Sequence, residues 1–186
     1  LSTGMADEKQ IFDALKIIKK GKASVILLHC TSIYPTPDSL ATLDRITALK
    51  NKFGLDVGFS DHTNGWLAAS IAVGKGARVI EKHFTLNKKM KGPDHWFSLN
   101  PKEFRNYVNK IRIAEKMLGN NTLNPTDEEL KNRHTMQVSM VFNQNLKKNT
   151  KIKLSFFDML RSYKKSLTYA DIKKVVGKKL KKNKKI

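Results

Sequence analysis

Apolar positions follow two periods through the first two thirds of the chain. Residues 7–20 carry Ile11, Ala14, Leu15 and Ile18 at the three-to-four residue spacing of a helix face, and Gly21 supplies the stop. Residues 24–30 (SVILLHC) form a continuous apolar run between turn signals, as expected of a strand buried on both faces. A second amphipathic helix is predicted over 38–53, with Leu40, Leu43, Ile46 and Leu49 on one side and Gly54 at its end. A strand over 57–62, a helix over 65–75 and a strand over 78–84 follow. Asn100, Pro101 and Glu103 make a helix start, because the first can cap, the second tolerates a missing N–H and the third can reach back. Phe104, Val108, Ile111 and Leu118 carry that helix to Gly119, and residues 1–5 read as the end of a strand that turns at Gly4. Strands alternating with helices predict right-handed βαβ units and a parallel sheet.

The rhythm breaks after residue 119. Residues 120–141 are polar, include Asn124-Pro125-Thr126, and read as a linker with a short helix over 127–134. Residues 142–186 read as a separate small unit, in which Thr168 and Asp171 form a capping box ahead of the apolar stripe Ile172, Val175 and Val176.

Parity along the strands separates core from chemistry. Over 57–62, Gly58, Ser60 and His62 share a face opposite Val57 and Phe59; over 78–84, Val79, Glu81 and His83 share one opposite Ile80 and Phe84. Each strand has one apolar face and one that turns polar toward its C-terminal end. A (β/α)8 barrel has this pattern, and an open doubly wound sheet also binds ligands at its strand ends. Two imidazoles from neighbouring strand ends beside carboxylates could hold a divalent cation, with Mn²⁺, Zn²⁺ or Fe²⁺ better suited than Ca²⁺. Taken alone, the residues equally allow a locally bonded His62 and a core His83. His29 has the opposite parity and is expected to point outward, toward the helices, while His95 sits in a loop that could face the site or solvent.

Composition changes this picture little. The 186 residues can bury a core, no apolar run reaches the length of a membrane span, and the N-terminus lacks the pattern of a signal peptide. A cytoplasmic protein without a membrane partner is expected. One cysteine, Cys30, excludes an internal disulfide and reads as strand filler. The formal charge is +20, with 19 Lys/Arg against 11 Asp/Glu in residues 1–119 and 17 against 5 in the remainder. Much of the second excess lies in KKVVGKKLKKNKKI, which reads as a solvated helix face and a frayed tail. With little aromatic interleaving and no helix-turn-helix or zinc-finger pattern, nucleic acid is not expected as a partner.

LSTGM, LLHCTSIYPTP, GFSDHT, VIEKHFT and KGPDHWFSL occur in this order over residues 1–119. In this the chain resembles the N-acetylneuraminate (sialic acid) synthase family, which includes legionaminic acid synthases. The final KKVVGKKLKKN resembles the end of that family's antifreeze-like (SAF) domain. The resemblance implies that residues 1–119 are the second half of a (β/α)8 TIM barrel, its fifth through eighth strands, that 120–141 are a linker, and that 142–186 are a partial or divergent SAF domain.

It also implies a reaction. Phosphoenolpyruvate would condense with an N-acetylmannosamine-type sugar, an N-acetylated hexosamine, to give a nine-carbon 2-keto acid and phosphate, with Mn²⁺ or Mg²⁺ polarising the sugar aldehyde. His62 and His83 match the family's metal ligands, and Glu81 matches a catalytic carboxylate beside the metal. Ser2 and Ser60 match positions that bind phosphoenolpyruvate; Tyr34 and Asp94 match positions around the sugar. Ser32 stands where some members have Asn. Arg161 matches the small-domain arginine that reaches a partner subunit's site in a homodimer, although this chain continues RSYKKSL where the family has Pro and Gly. The first four strands of such a barrel are not in this sequence, so the chain by itself is expected to be inactive. The alternatives are another phosphoenolpyruvate-dependent aldol synthase making 3-deoxy sugar acids, a basic binding module and a degenerate remnant.

Overall fold

The computed structural model describes residues 1–21, 23–161 and 167–186. The chain divides into two compact units, Leu1–Asn120 and Asn121–Ile186.

In the first unit the elements are α1 (Glu8–Lys20), β1 (Leu27–Cys30), α2 (Asp44–Phe53), β2 (Val57–Asp61), α3 (Leu67–Gly74), β3 (Ile80–Lys82) and α4 (Pro101–Leu118). β1, β2 and β3 form a parallel sheet in that order, with Cys30 opposite Ser60 and Ser60 opposite Glu81. The N-terminal residues extend it, since Ser2 bridges Leu28 in parallel and the Thr3 N–H donates to the Leu28 carbonyl at 2.9 Å. At the other edge Phe84 bridges Leu99.

The helices cover one face of this sheet. Leu27, Val57 and Phe59 pack there with Ile11 and Leu15 of α1, Ile46 of α2 and Ala68 and Ala72 of α3. Full burial of an aliphatic or aromatic side chain of this size stabilises by about 1.5–3 kcal/mol. On the other face, a side chain at Gly58 would collide with the Val79 carbonyl and the Leu28 side chain, so the strands approach closely there.

α4 begins as the sequence predicts. Glu103 N–H donates to Asn100 Oδ1, and Glu103 Oε2 accepts from the Asn100 N–H, both at 2.9 Å. The helix predicted over 38–53 is broken: a short 3₁₀ turn, Asp38–Leu40, precedes α2. Side chains from the β1 end capture the carbonyls that would continue the helix. Thr31 Oγ1 donates to the Leu40 carbonyl at 3.1 Å, the His29 ring to the Ala41 carbonyl at 2.7 Å, and Thr42 takes a positive φ of 43°.

The second unit contains α5 (Asp127–Met136), β4 (Val138–Phe142), β5 (Phe157–Arg161) and α6 (Tyr169–Val175). β4 and β5 pair antiparallel around a core of Met140, Leu146, Ile152, Phe157, Ile172 and Leu180. Two expectations change here. Residues 138–141 are strand and not linker, because Met140 and the residues beside it pair with β5. The lysine-rich end is not frayed: Leu180 is buried, and Lys184 and Leu146 exchange two backbone hydrogen bonds at 2.8 and 2.9 Å. The capping box of Thr168 and Asp171 is formed as expected. Among the described residues no helix is long and apolar enough to cross a membrane.

His29 points to the helix side, as parity predicts, with its ring stacked on Phe59 at 5.7 Å. Burial holds its pKa below the ordinary 6.5, against the bond to Ala41 and with help from Arg45. The unfolded chain therefore takes up a proton that the folded chain refuses as pH falls through about 6.5. Stability present above that pH is lost below it, at no more than about 1.4 kcal/mol per pH unit for one proton. Urea unfolding followed by Trp66 and Trp96 fluorescence should show a lower midpoint at acid pH, and His29→Gln should reduce that dependence.

Candidate active site

The face of the sheet away from the helices carries the row Cys30, Ser60 and Glu81, fixed side by side by the strand register. Ser60 Oγ donates to Glu81 Oε1 at 2.6 Å. Two residues further along β2 and β3, on the same face, stand His62 and His83. Their ring centroids are 5.2 Å apart and their planes are at 70°.

His62 is buried and held on the β1 side. Its Nδ1 lies 2.9 Å from the Thr31 carbonyl, and since a carbonyl only accepts, Nδ1 carries the proton. In the neutral ring the lone pair is thereby placed on Nε2, the tautomer a metal-ligating or proton-accepting imidazole needs. The His62 carbonyl accepts from the Thr36 N–H at 2.8 Å. His83 is held by ring contacts instead, with Phe97 at 4.9 Å, Tyr34 at 5.7 Å and His62. Tyr34 in turn packs on His62 at 4.2 Å and on Phe97 at 5.6 Å. Burial and the neighbouring His62 lower the His83 pKa, outweighing Asp94 and Glu81, so its ring is neutral at neutral pH. Asp94 Oδ2 is 3.8 Å from His83 Nδ1, beyond hydrogen-bond length.

Behind the histidines, on the helix side, lies a buried polar network. Asp61 accepts from the Thr63 N–H at 2.8 Å, Thr63 Oγ1 at 2.7 Å and Tyr107 Oη at 2.8 Å, and pairs with Lys82 Nζ at 3.2 Å. Lys82 also donates to the Thr63 carbonyl. Burial, and then the adjacent Asp61, push the Tyr107 phenol far above its ordinary range, so it stays a donor.

Of the residues singled out from sequence, the first unit assembles His62, His83, Tyr34, Ser60 and Glu81, with Asp94 at the edge. Ser32 Oγ lies 3.9 Å from Cys30 Sγ on the same face, and Ser2 sits beside Leu28, one row further from the histidines. Arg161 belongs to the second unit, where it ends β5 exposed, and residues 162–166 of the RSYKKSL segment lie outside the described residues. His95 bonds Thr85 Oγ1 at 2.7 Å and so braces its own loop. Among the described residues no group of three or more His, Cys, Asp or Glu is arranged to hold a metal. Two facing imidazoles, one with Nδ1 tied to the Thr31 carbonyl and Nε2 left open, fit part of a coordination sphere completed by water or substrate oxygens. Sequence reasoning missed the Thr31 carbonyl and Phe97. It also gave Asp61 and Lys82 no role, although opposite charges at one level of two apolar strand faces were a readable signal.

The tautomer is directly measurable. Long-range ¹H–¹⁵N spectra of the metal-free chain, taken where the ring is neutral, should show His62 protonated at Nδ1; a neutral ring protonated at Nε2 instead would contradict the Thr31 bond.

Residues 1–122 match the model of the NeuB family. The chain is 38% identical to N,N'-diacetyllegionaminic acid synthase of Legionella pneumophila, over 98% of this chain and 52% of that protein. It is 46% identical to pseudaminic acid synthase of Campylobacter jejuni, over 72% of this chain and 39% of that protein. The solved structure of N-acetylneuraminic acid (sialic acid) synthetase from Leptospira borgpetersenii, in complex with citrate, superposes with a TM-score of 0.64 at 38% identity, covering 74% of this chain and 49% of that one. The chain spans about half the length of the curated relatives it matches. With five motifs in order, two histidines at adjacent strand ends and a family model matched along 1–122, the chain belongs to the NeuB family.

Proposed function

We propose that this chain carries the histidine side of a sugar-acid synthase site, in which phosphoenolpyruvate condenses with an N-acetylmannosamine-type sugar. The observation that carries the reading is the His62–His83 pair, with the His62 lone pair fixed on Nε2 by the Thr31 carbonyl. The relatives named for legionaminic and pseudaminic acid synthesis support the product class.

In this reading residues 1–119 are the second half of a (β/α)8 barrel. The parallel sheet with helices on one face and polar groups at its C-terminal ends supports it. So do Ile26 and Val79, residues of the non-helical face that are 37% and 38% exposed, a state suited to packing against further barrel wall. The second unit is assigned as SAF-like, with Arg161 serving a partner subunit's site in a dimer.

The reaction forms a bond between the methylene carbon of phosphoenolpyruvate and the aldehyde carbon. The aldehyde oxygen takes a proton, water adds at the former enol carbon, and phosphate leaves from that carbon. Atoms balance as phosphoenolpyruvate, sugar and water giving the 2-keto acid and phosphate. His62 and His83 would hold a Mn²⁺ or Mg²⁺ ion, which when bound would supply Lewis acidity for the aldehyde oxygen. The residues of the chain do the rest. Ser60 and Ser2 offer hydroxyls to phosphate and carboxylate oxygens. Ser60 now spends its proton on Glu81, so turning toward an anion frees Glu81 Oε1 to accept a proton. Tyr34, packed on both histidines, and Asp94 flank the sugar, and Ser32 lines the same side.

The test replaces the corresponding part of the Legionella pneumophila synthase with this chain. Phosphate release from phosphoenolpyruvate and an N-acetylated hexosamine should persist with Mn²⁺ or Mg²⁺. His62→Ala or His83→Ala should lower it at least about 100-fold, the scale of several kcal/mol of transition-state stabilisation. A folded chimera whose rate ignores both histidines would overturn the reading. The chain alone should give no turnover.

A further inference from the structure

The strand ladder stops one residue short of the chemistry. The last registered pair between β2 and β3 is Asp61 with Lys82, and the two histidines lie just beyond it. Beyond the ladder, the hydrogen bonds of each histidine run away from the other. His62 is bonded to Thr31 and Thr36 on the β1 side, while the His83 carbonyl accepts from the Leu99 N–H at 3.0 Å on the opposite edge. Between the two histidine-bearing ends, a side-chain link is made by Lys82, whose ammonium spans Asp61 Oδ2 and the Thr63 carbonyl, the residues on either side of His62.

From this geometry we infer that Asp61, Lys82 and Tyr107 are positioning residues that set the spacing and angle of the His62–His83 pair. The proposal deepens the functional reading above and rests on it for its purpose, though not for its geometry. Lys82 immediately precedes His83 and Asp61 immediately precedes His62, so a movement at either charge is passed through one peptide unit to an imidazole on the other face. Tyr107 anchors the pair to α4, and Lys82 lies 5.5 Å over its ring.

A role confined to stability would be served differently. An apolar pair of similar volume packs such a site as well as or better than buried charges, because burying charges costs more than their attraction returns in many proteins. Apolar contacts, however, are not directional. A carboxylate saturated by Thr63, Tyr107 and Lys82 fixes distances and angles that leucine and methionine would leave loose.

The experiment compares the chain with the double variant Asp61→Leu/Lys82→Met and with Tyr107→Phe. Two signals are read: the His62 and His83 ring resonances and their inter-ring NOE in metal-free protein, and Mn²⁺ affinity. The double variant also leaves Thr63 and Tyr107 without their acceptor and should unfold somewhat earlier in urea; in the folded protein its histidine resonances should shift, the NOE should weaken and Mn²⁺ affinity should fall by about 10–100-fold. Tyr107→Phe should move both signals in the same direction by less. Histidine signals and affinity unchanged in the variants would overturn the proposal. Should the double variant not fold, Tyr107→Phe decides by the same signals. If the wild type does not bind Mn²⁺ while the metal-free histidine signals still shift in the variants, the metal reading fails and the positioning role stands.

Discussion

Successive side chains of a strand point to opposite faces, so each residue that serves the site in β2 or β3 is flanked by residues committed to the helix side. Val57 and Phe59 hold the sheet against the helices, and in the same five-residue strand Gly58 and Ser60 face the other way. At the last residue of that strand this division meets a charge. Asp61 has helix-side parity but needs hydrogen-bond partners, because an unpaired carboxylate buried there would be strongly destabilising. Thr63, Tyr107 and Lys82 satisfy it. In doing so they shape the turn after His62, tie α4 to the sheet and place Lys82 beside His83. The site is therefore assembled from behind, by the network on its reverse face.

The histidines themselves are supported unequally. The His62 ring is bonded to the Thr31 carbonyl as well as packed by Tyr34, whereas the His83 ring rests among the rings of Tyr34, Phe97 and His62, with its own carbonyl bonded to the Leu99 N–H. These contacts explain why a loop as far along as residue 97 belongs to the site, since it supplies the ring that closes over His83.

Much of this was legible in the sequence. Parity put His62 and His83 on one face and His29 on the other, and Asn100, Pro101 and Glu103 announced α4. What was not legible depends on contacts between distant segments. The break in the helix predicted over 38–53 comes from His29 and Thr31 taking carbonyls of residues 40 and 41, which periodicity within 38–53 cannot register. The Thr31 carbonyl that sets the His62 tautomer leaves no mark in the residue type at 31. Phe97 reads as one more aromatic in a loop until the fold brings it to His83. The strand at Val138–Phe142 was hidden because its partner β5 begins 15 residues later, across a polar stretch that looks like connection. The lysine-rich end misled for a related reason: its exposed side chains suggest fraying, while its backbone pairs with residues 146–152.

The central proposal is that His62 and His83 act together as nitrogen donors toward one divalent cation. Pulsed EPR of Mn²⁺ bound to the chain tests it most directly, because imidazole nitrogens leave a resolved ¹⁴N modulation. The account predicts coupling from two imidazoles in the wild type, and from one in each of His62→Ala and His83→Ala. Bound Mn²⁺ without nitrogen coupling, or with coupling unchanged by both substitutions, would contradict it.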